Sequence, residues 1–308
     1  MGQDVVPKTS PEAIRTFTRA LLRDMQALDR LLSEGLIESG IRRFGAEQEM
    51  FLVNDGWRPA PVAVEVLAEL EDPAFTTELA RFNLEANLSP RVMEGSCFSD
   101  MQDEADRLVG EVRTAAARHD AKVVLSGILP TLSKSDLAMK NITPRARYFA
   151  LNEAMNKVSQ GSFKLRIQGN DELMIEHDSV MLEACNTSFQ VHLQVSAEEF
   201  PGFYNAAQTV TAPVLAAAVN SPLLFGRRLW AETRIALFQQ SLDTRGTDLH
   251  MREMSSRVRF GDQWVRESVV ELFQEDIARF RVLLATDVEE DPLEVLEAGS
   301  AATVSTWP

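Results

Sequence analysis

The most informative stretch of this sequence is Phe44-Gly45-Ala46-Glu47-Gln48-Glu49-Met50-Phe51-Leu52-Val53, because it sets two carboxylates one residue apart in what otherwise resembles a buried strand. Side chains alternate across a strand, so Glu47 and Glu49 share one face. Buried ionised carboxylates are costly unless they are paired or bound to a cation, and a neighbouring like charge raises that cost. A divalent metal ion would resolve the conflict.

Two further segments, residues 81–88 and 188–196, repeat this alternation of polar and apolar side chains. Their polar faces carry Asn83, Glu85 and Asn87 in the first segment and Gln190, His192 and Gln194 in the second. Such faces commonly point into water. However, Glu, Asn, Gln and His also ligate metals or hydrogen-bond to a polar ligand. The pattern predicts an α+β fold, in which helices cover the apolar back of an antiparallel sheet and the polar front stays open.

Composition is that of a globular protein with a substantial core: 308 residues, of which 45% are hydrophobic and 25% charged. No linker divides the chain, so we expect one domain. The net charge of -15 disfavours nucleic acid and anionic membrane as partners, since both bind basic patches. An anionic substrate would need a bound Mg²⁺ and a few arginines.

The chain carries two cysteines, Cys97 and Cys185, far apart in sequence. This usage is typical of a reduced, cytoplasmic protein with structural thiols, and a catalytic thiol is the weaker alternative. Residues 1–10 lack the profile of a signal peptide. The longest apolar run, residues 212–225, is broken by polar residues and proline and is too short to span a bilayer.

Helical spacing of apolar residues predicts helices at 11–33, 99–119, 143–158, 196–220 (kinked near Pro213), 228–240 and 264–284. Alternation predicts further strands at 121–127 and 162–168. Ser99 with Gln102 and Ser196 with Glu199 have capping-box spacing, and Thr143-Pro144 is a typical helix start. The sequence has neither a glycine-rich phosphate loop nor an internal repeat.

Six segments occur in an order that is more specific than any one of them: residues 45–49, 83–90, 143–148, 169–173, 177–194 and 220–222. Over roughly residues 10 to 285, this order resembles the glutamate–cysteine ligases of the carboxylate–amine ligase type, relatives of glutamine synthetase. The resemblance implies a curved antiparallel sheet that forms a funnel, with helices outside and ATP, Mg²⁺ (or Mn²⁺) and an amino acid within. It also implies ATP-dependent amide formation through an acyl phosphate, as in glutathione biosynthesis.

The resemblance further implies roles for individual residues. Glu47, Glu49, Glu85 and His192 would ligate the metal, and Gln190 and Gln194 would belong to the metal and phosphate shell. His192 could equally be a hydrogen-bonded sheet histidine.

Arginines supply the remaining expected contacts. Arg234 resembles the family's arginine that faces the substrate carboxylate or the transferring phosphoryl group, and Asn87 is expected to bind substrate beside it. Arg145 and Arg147 could reach phosphate from a helix N-terminus. The alternative readings are a helix-surface arginine for Arg234 and a solvated helix turn for the other two.

Family members continue beyond the point where this sequence stops, so the expectation is a single catalytic domain, residues 1–308, with an incomplete C-terminal part. Residues 1–10 and 286–308 are expected to be poorly ordered. An open sheet edge would then favour a homo-oligomer. Small-molecule substrates are the expected partners. The competing interpretation is a non-catalytic or degenerate protein of this fold that binds metal and an amino acid without closing over ATP.

Overall fold

A computed structural model describes residues 10–159, 163–243, 256–280, 282–283, 285–286 and 291–297. Residues 1–9 and 298–308, where poor order was expected, lie outside the described residues. Within residues 286–308, the expected C-terminal segment, Pro292–Glu297 forms a helix that packs against the first helix of the chain.

The described strands are β1 (Arg43–Val53), β2 (Phe75–Thr77), β3 (Asn83–Val92), β4 (Lys122–Val124), β5 (Phe163–Gln168), β6 (Glu172–His177), β7 (Phe189–Leu193), β8 (Leu223–Leu224) and β9 (Arg227–Arg228). The described α-helices are α1 (Pro11–Ser33), α2 (Ala63–Glu69), α3 (Cys97–Ala117), α4 (Ala146–Val158), α5 (Phe200–Ala217), α6 (Arg234–Ser241), α7 (Val270–Arg279) and α8 (Pro292–Glu297). Short 3₁₀ helices cover Lys134–Leu137, Met139–Asn141 and Val180–Cys185.

The main sheet is antiparallel and open. Its strand order is β2-β3-β1-β4, and β7 also pairs with β1. Residues 44–48 of β1 pair with β7 and residues 51–53 pair with β4, while β3 lies along the other side of β1. The described elements thus form the predicted α+β fold, and the funnel-like curvature stays a prediction.

The back of the sheet is covered by helices, as predicted. Phe44, Ala46, Met50 and Leu52 of β1 pack there with α2 and α3 in one buried cluster. Apolar positions such as Leu108 and Val112 recur at helical spacing along α3, so one stripe of this helix meets the sheet.

A second core covers part of the front. Phe51 and Val53 point to the same face as Glu47 and Glu49, yet they are fully buried among side chains from β5, the 3₁₀ helix Val180–Cys185 and α6. The front of β1 is therefore apolar at its end and acidic only from Glu47 to Glu49, so the carboxylates lie beside a packed core.

Two predicted helix starts are wrong. α3 begins at Cys97 after Ser96, so the predicted capping box of Ser99 and Gln102 does not form its N-terminus. α4 begins at Ala146, because the N–H of Thr143 donates to the Leu79 carbonyl and keeps this segment extended. Ser196 and Glu199 do exchange the predicted hydrogen bonds just before α5.

The predicted helix at 228–240 begins later, at Arg234, because Arg228 belongs to the β8–β9 hairpin. Phe225 and Gly226 form its turn, both with positive φ. The helix predicted at 264–284 is shorter, Val270–Arg279. No helix among the described residues has the length and apolar character to cross a membrane. Cys97 and Cys185 are free and buried.

Candidate functional site

Strand register brings the predicted polar residues together on the front of the sheet. Glu47 lies opposite Asn87 of β3 and Gln190 of β7, and Glu49 lies opposite Glu85. A strand period of two keeps these five side chains on one face. The front of the sheet, beside the second core, therefore carries most of the predicted site.

Three carboxylates converge there: Glu49 from β1, Glu85 from β3 and Glu78 from the turn after β2. One oxygen from each lies within 4.8 Å of the others. Glu78 reaches this position because β2 pairs with β3, which places Thr76 opposite Glu85 and brings the following turn to the front. Three carboxylate oxygens at this spacing match the ligand type that Mg²⁺ and Mn²⁺ prefer.

The surroundings oppose ionisation of these groups. Burial raises the pKa of Glu49 to about 7, with smaller contributions from the charges of Glu85 and Glu47, against a hydrogen bond from the Ser188 N–H of 2.7 Å. Burial, followed by the charges of Glu49, Glu183 and Glu85, holds the pKa of Glu78 well above its usual range. Without a cation, these surroundings favour the protonated form of the carboxyl groups.

A fourth carboxylate, Glu183, lies close behind the cluster. It comes from the 3₁₀ helix Val180–Cys185, and burial followed by the charge of Glu49 raises its pKa to about 7. No lysine or arginine among the described residues forms a salt bridge with Glu49, Glu78, Glu85 or Glu183. Uncompensated carboxylates at this density indicate a site that a cation would stabilise.

The outer edge of the site is built from β1 and β7. The Gln190 amide donates to Glu47 at 2.9 Å, and His192 Nε2 lies 3.4 Å from the other oxygen of Glu47 and 2.8 Å from the Gln190 amide nitrogen. Asn87 donates to Glu85 at 2.8 Å. The side-chain amide of Gln190 therefore orients the carboxylate of Glu47 on β1, and that of Asn87 orients the carboxylate of Glu85 on β3.

Gln194 is placed elsewhere. Its amide donates to Glu38 at 2.7 Å and its oxygen accepts from Arg43 at 3.0 Å, beyond the end of β7. The structure does not bring it together with Glu47 or His192. Its role in a phosphate shell stays a prediction.

Arg147 lies on the opposite side of the cluster, near Glu78. Its Nη2 donates to the Tyr148 hydroxyl at 2.8 Å, and that hydroxyl donates to the Thr77 carbonyl at 2.9 Å. Burial, followed by the charge of Glu78, raises the pKa of Tyr148. Arg145, at the N-cap of α4, instead lines a groove of about 430 Å³ along the edge of β2.

Arg234 approaches the cluster through one peptide group. Its Nη1 donates to the Thr187 carbonyl at 2.8 Å, and the N–H of the same peptide unit, at Ser188, donates to Glu49. The guanidinium is thus a near neighbour of the carboxylates, and about a fifth of its side chain (21%) is exposed.

An open antiparallel sheet with convergent carboxylates on one face, flanked by arginines, defines a protein suited to binding a divalent cation together with anionic groups. A family model, Glutamate-cysteine ligase family 2 (GCS2), matches residues 43–271, nearly three quarters of the chain. The chain belongs to this family and is a ligase of the glutamate-cysteine ligase kind. A search of curated proteins found no match.

Sequence reasoning missed Glu78 and Glu183. Glu78 follows a strand of only three residues, too short for alternation to reveal it. Glu183 had a usable signal, because it interrupts the apolar run Val180–Cys185 with a carboxylate that has no obvious place in a core.

Proposed function

We propose that this chain is an ATP- and Mg²⁺-dependent carboxylate–amine ligase of the glutamate–cysteine type. The observation that carries the proposal is the convergence of Glu49, Glu78 and Glu85 without a cationic partner among the described residues. Family membership supports the reaction class. The proposal implies a sheet whose curvature encloses ATP and the amino acid as a funnel.

The residues present fit a divalent cation. Glu49, Glu78 and Glu85 would hold one ion, and Glu47 with His192 offers ligands at the outer edge. Mn²⁺ prefers the same oxygen ligands and would substitute for Mg²⁺. When bound, the metal supplies charge neutralisation for the phosphates of ATP.

In the proposed reaction, a carboxylate oxygen of the substrate attacks the γ-phosphorus of ATP, and the bond between that phosphorus and the ADP oxygen breaks. The amine then attacks the acyl carbon of this acyl phosphate, loses a proton and expels phosphate. Such transfer depends on positioning and electrostatic stabilisation.

This chain's own residues would supply that positioning. Arg234 would hold the substrate carboxylate or the transferring phosphoryl group, because its planar fork suits either. Asn87 and Gln190 orient Glu85 and Glu47 and would add contacts to substrate or phosphate. Arg147, beside Tyr148, would approach phosphate from the Glu78 side, and Arg145 and Gln194 are proposed as more distant phosphate contacts.

The test follows nucleotide products. The chain is incubated with ATP and Mg²⁺, with and without glutamate, and then with glutamate plus cysteine. ADP and phosphate should depend on glutamate and rise with cysteine, and Glu47→Gln should abolish them. Release of AMP and pyrophosphate would indicate adenylation and contradict the proposal. Metal binding with no ATP turnover would favour the non-catalytic alternative.

We further propose that the partners are small molecules and that the chain acts in the cytoplasm, in glutathione biosynthesis. The net charge of -15 supports the absence of a nucleic-acid or membrane partner. Two free, buried thiols support a reducing compartment.

A further inference from the structure

Arg234 is held more tightly than a surface arginine at a helix start requires. Its Nε donates to Glu232, its Nη1 to the Thr187 carbonyl, and its backbone N–H to the Ser221 hydroxyl. No described residue accepts a hydrogen bond from Nη2. Two of the three guanidinium nitrogens are therefore fixed by the protein and one is left for a ligand.

Glu232 is the anchor of this arrangement. It is buried, with a relative exposure of 6%, and its two oxygens serve two donors: one accepts from Arg234 Nε, the other from the Asn220 N–H at 2.9 Å. Only a carboxylate meets both demands, because an amide at this position would turn its NH₂ toward one of the two donors. A buried carboxylate that joins this arginine to the backbone of residue 220 indicates a positional requirement.

Gly127 leaves the space that the arginine occupies. A Cβ at this residue would lie 2.8 Å from Arg234 Nε and 2.9 Å from Arg234 Cδ, which is too close for a side chain that Glu232 holds in place. The φ of Gly127 does not lie in the left-handed region, so the backbone itself does not demand glycine. The Gly127 carbonyl also accepts from the Thr187 N–H at 3.0 Å, which holds the residue whose own carbonyl Arg234 contacts.

That peptide connects the arginine to the carboxylate cluster. A guanidinium at the Thr187 carbonyl polarises the peptide bond, and this strengthens the hydrogen bond of 2.7 Å that the Ser188 N–H donates to Glu49. One oxygen of Glu49 is thereby held, and its orientation depends on the arginine.

We propose that Glu232 and Gly127 are positioning residues, which fix Arg234 so that the Thr187–Ser188 peptide orients Glu49 for a divalent cation. This inference rests on the proposed function, since it gives Glu49 a metal to bind. Neither residue touches the metal, and both act through Arg234.

The experiment measures Mn²⁺ affinity of the full chain by titration calorimetry at one pH, so that no turnover is needed. Glu232→Gln should weaken Mn²⁺ binding about tenfold, the size expected when a residue that orients a metal ligand is lost. Arg234→Lys should cause a similar loss, because a single ammonium cannot span Glu232 and Thr187. The double variant should be no weaker than either single variant, since both changes break one chain of contacts.

Glu104→Gln is the matched control. Glu104 is also poorly exposed and also accepts from a backbone N–H and an arginine, Ser89 and Arg91, but it lies on α3 at the back of the sheet. The Glu104→Gln variant should bind Mn²⁺ with the affinity of the wild type. Gly127→Ala disturbs Arg234 by another route and should reproduce the tenfold loss, which keeps the test decisive if Glu232→Gln does not fold.

The outcomes separate the two proposals. A wild-type chain that binds no Mn²⁺ would refute the metal site and this inference with it. Wild-type binding that Glu232→Gln or Gly127→Ala leaves unchanged, or losses that add in the double variant, would refute the positioning role while the proposed function stands.

Discussion

Glu78 illustrates how a residue suited to binding a metal ion can destabilise the metal-free folded state. Its carboxylate is buried beside Glu49, Glu183 and Glu85, and this surrounding charge works against its ionised form. A bound metal ion would instead favour the ionised form of Glu78. The same side chain then destabilises the metal-free fold and stabilises the metal-bound one.

Glu78→Gln should therefore shift two measurements in opposite directions. Without metal at neutral pH, the free energy of unfolding should rise by about 1 kcal/mol, because the carboxyl of Glu78 must take up a proton on folding and a glutamine need not. The increase in melting temperature that Mn²⁺ gives the wild type should disappear. Glu38→Gln is the control, because Glu38 pairs with Arg43 beyond the sheet end and should leave the Mn²⁺ response intact. Equal increases in melting temperature with Mn²⁺ in Glu78→Gln and Glu38→Gln would contradict the metal site.

The raised pKa of Glu49, about 7, predicts a pH dependence in the presence of chelator. The folded state binds this proton more tightly than the unfolded state, so its stabilisation is complete below about pH 4.5 and is lost as pH rises through 7. His177, whose pKa is lowered mainly by burial, acts in the opposite direction, so the wild type is compared with Glu49→Gln. Between about pH 5 and pH 8, the wild type should lose on the order of 2 kcal/mol relative to the variant. If the free energy of unfolding changed equally with pH in the wild type and in Glu49→Gln, the prediction would be wrong.

The positions of single site residues were predictable where those residues lie within a long strand. Glu47, Glu49 and Glu85 lie on strands of ten or more residues, so the alternation of the sequence is enough to place them on one face. Glu78 and Gln194 lie just beyond strand ends, where position depends on turns and on partners distant in sequence. The alternation of side chains along a strand carries no information at such positions. The sequence therefore gives no signal for Glu78 in the carboxylate cluster, and it does not show that Gln194 contacts Glu38 and Arg43.

At the scale of elements, the β5–β6 hairpin depends on a close approach at its turn. A Cβ at Gly169 would lie 2.5 Å from the Leu229 backbone carbon, and the Asp171 N–H donates to the neighbouring Arg228 carbonyl at 2.7 Å. Backbone meets backbone here, so the conflict cannot be relieved by moving a flexible side chain.

Gly169→Ala should destabilise the chain by about 1–3 kcal/mol, the range for overpacking a closely packed contact. Gly110→Ala is the matched control within α3, where a Cβ meets nothing within 4 Å. It should stabilise by about 0.5–1 kcal/mol, because alanine loses less backbone entropy in a helix. Urea denaturation of both variants checks the prediction, and a neutral Gly169→Ala would show that the two segments separate readily.

Element identities were predictable, while their boundaries were less so. The apolar periodicity of residues 11–33 predicted α1 from its first residue to its last. The starts of α4 and α6 were wrong because hydrogen bonds to Leu79 and the β8–β9 hairpin keep residues that favour a helix in extended conformations. The hydrogen bond from Thr143 to Leu79 joins segments far apart in sequence and leaves no local pattern, while the short hairpin turns at Phe225, a residue that rarely adopts positive φ.

For the whole molecule, one sheet separates two cores, and β7 lies at its margin. Among described strands β7 pairs only with β1, and Phe189, Val191 and Leu193 on its apolar face are 43–60% exposed. An edge strand of this kind tends to recruit another chain. A homo-oligomer therefore stays our prediction.

Val191→Lys should shift the chain toward monomers in sedimentation velocity experiments, because a charge on the edge strand opposes pairing. Met174→Lys is the control, at a residue that is 66% exposed on β6. It should sediment like the wild type. A wild-type chain that is monomeric at all accessible concentrations would contradict the prediction.

The two buried thiols make this chain convenient for spectroscopic labelling. Cys97 is 6% exposed and Cys185 is fully buried, and burial raises the pKa of the Cys185 thiol, so maleimides should react slowly with both. A cysteine introduced at the exposed Val191, on the face of β7 opposite Gln190 and His192, would carry a fluorophore as the single fast-reacting site. Paramagnetic quenching by Mn²⁺ would then report the distance from β7 to the ion, and so locate the metal without a crystal.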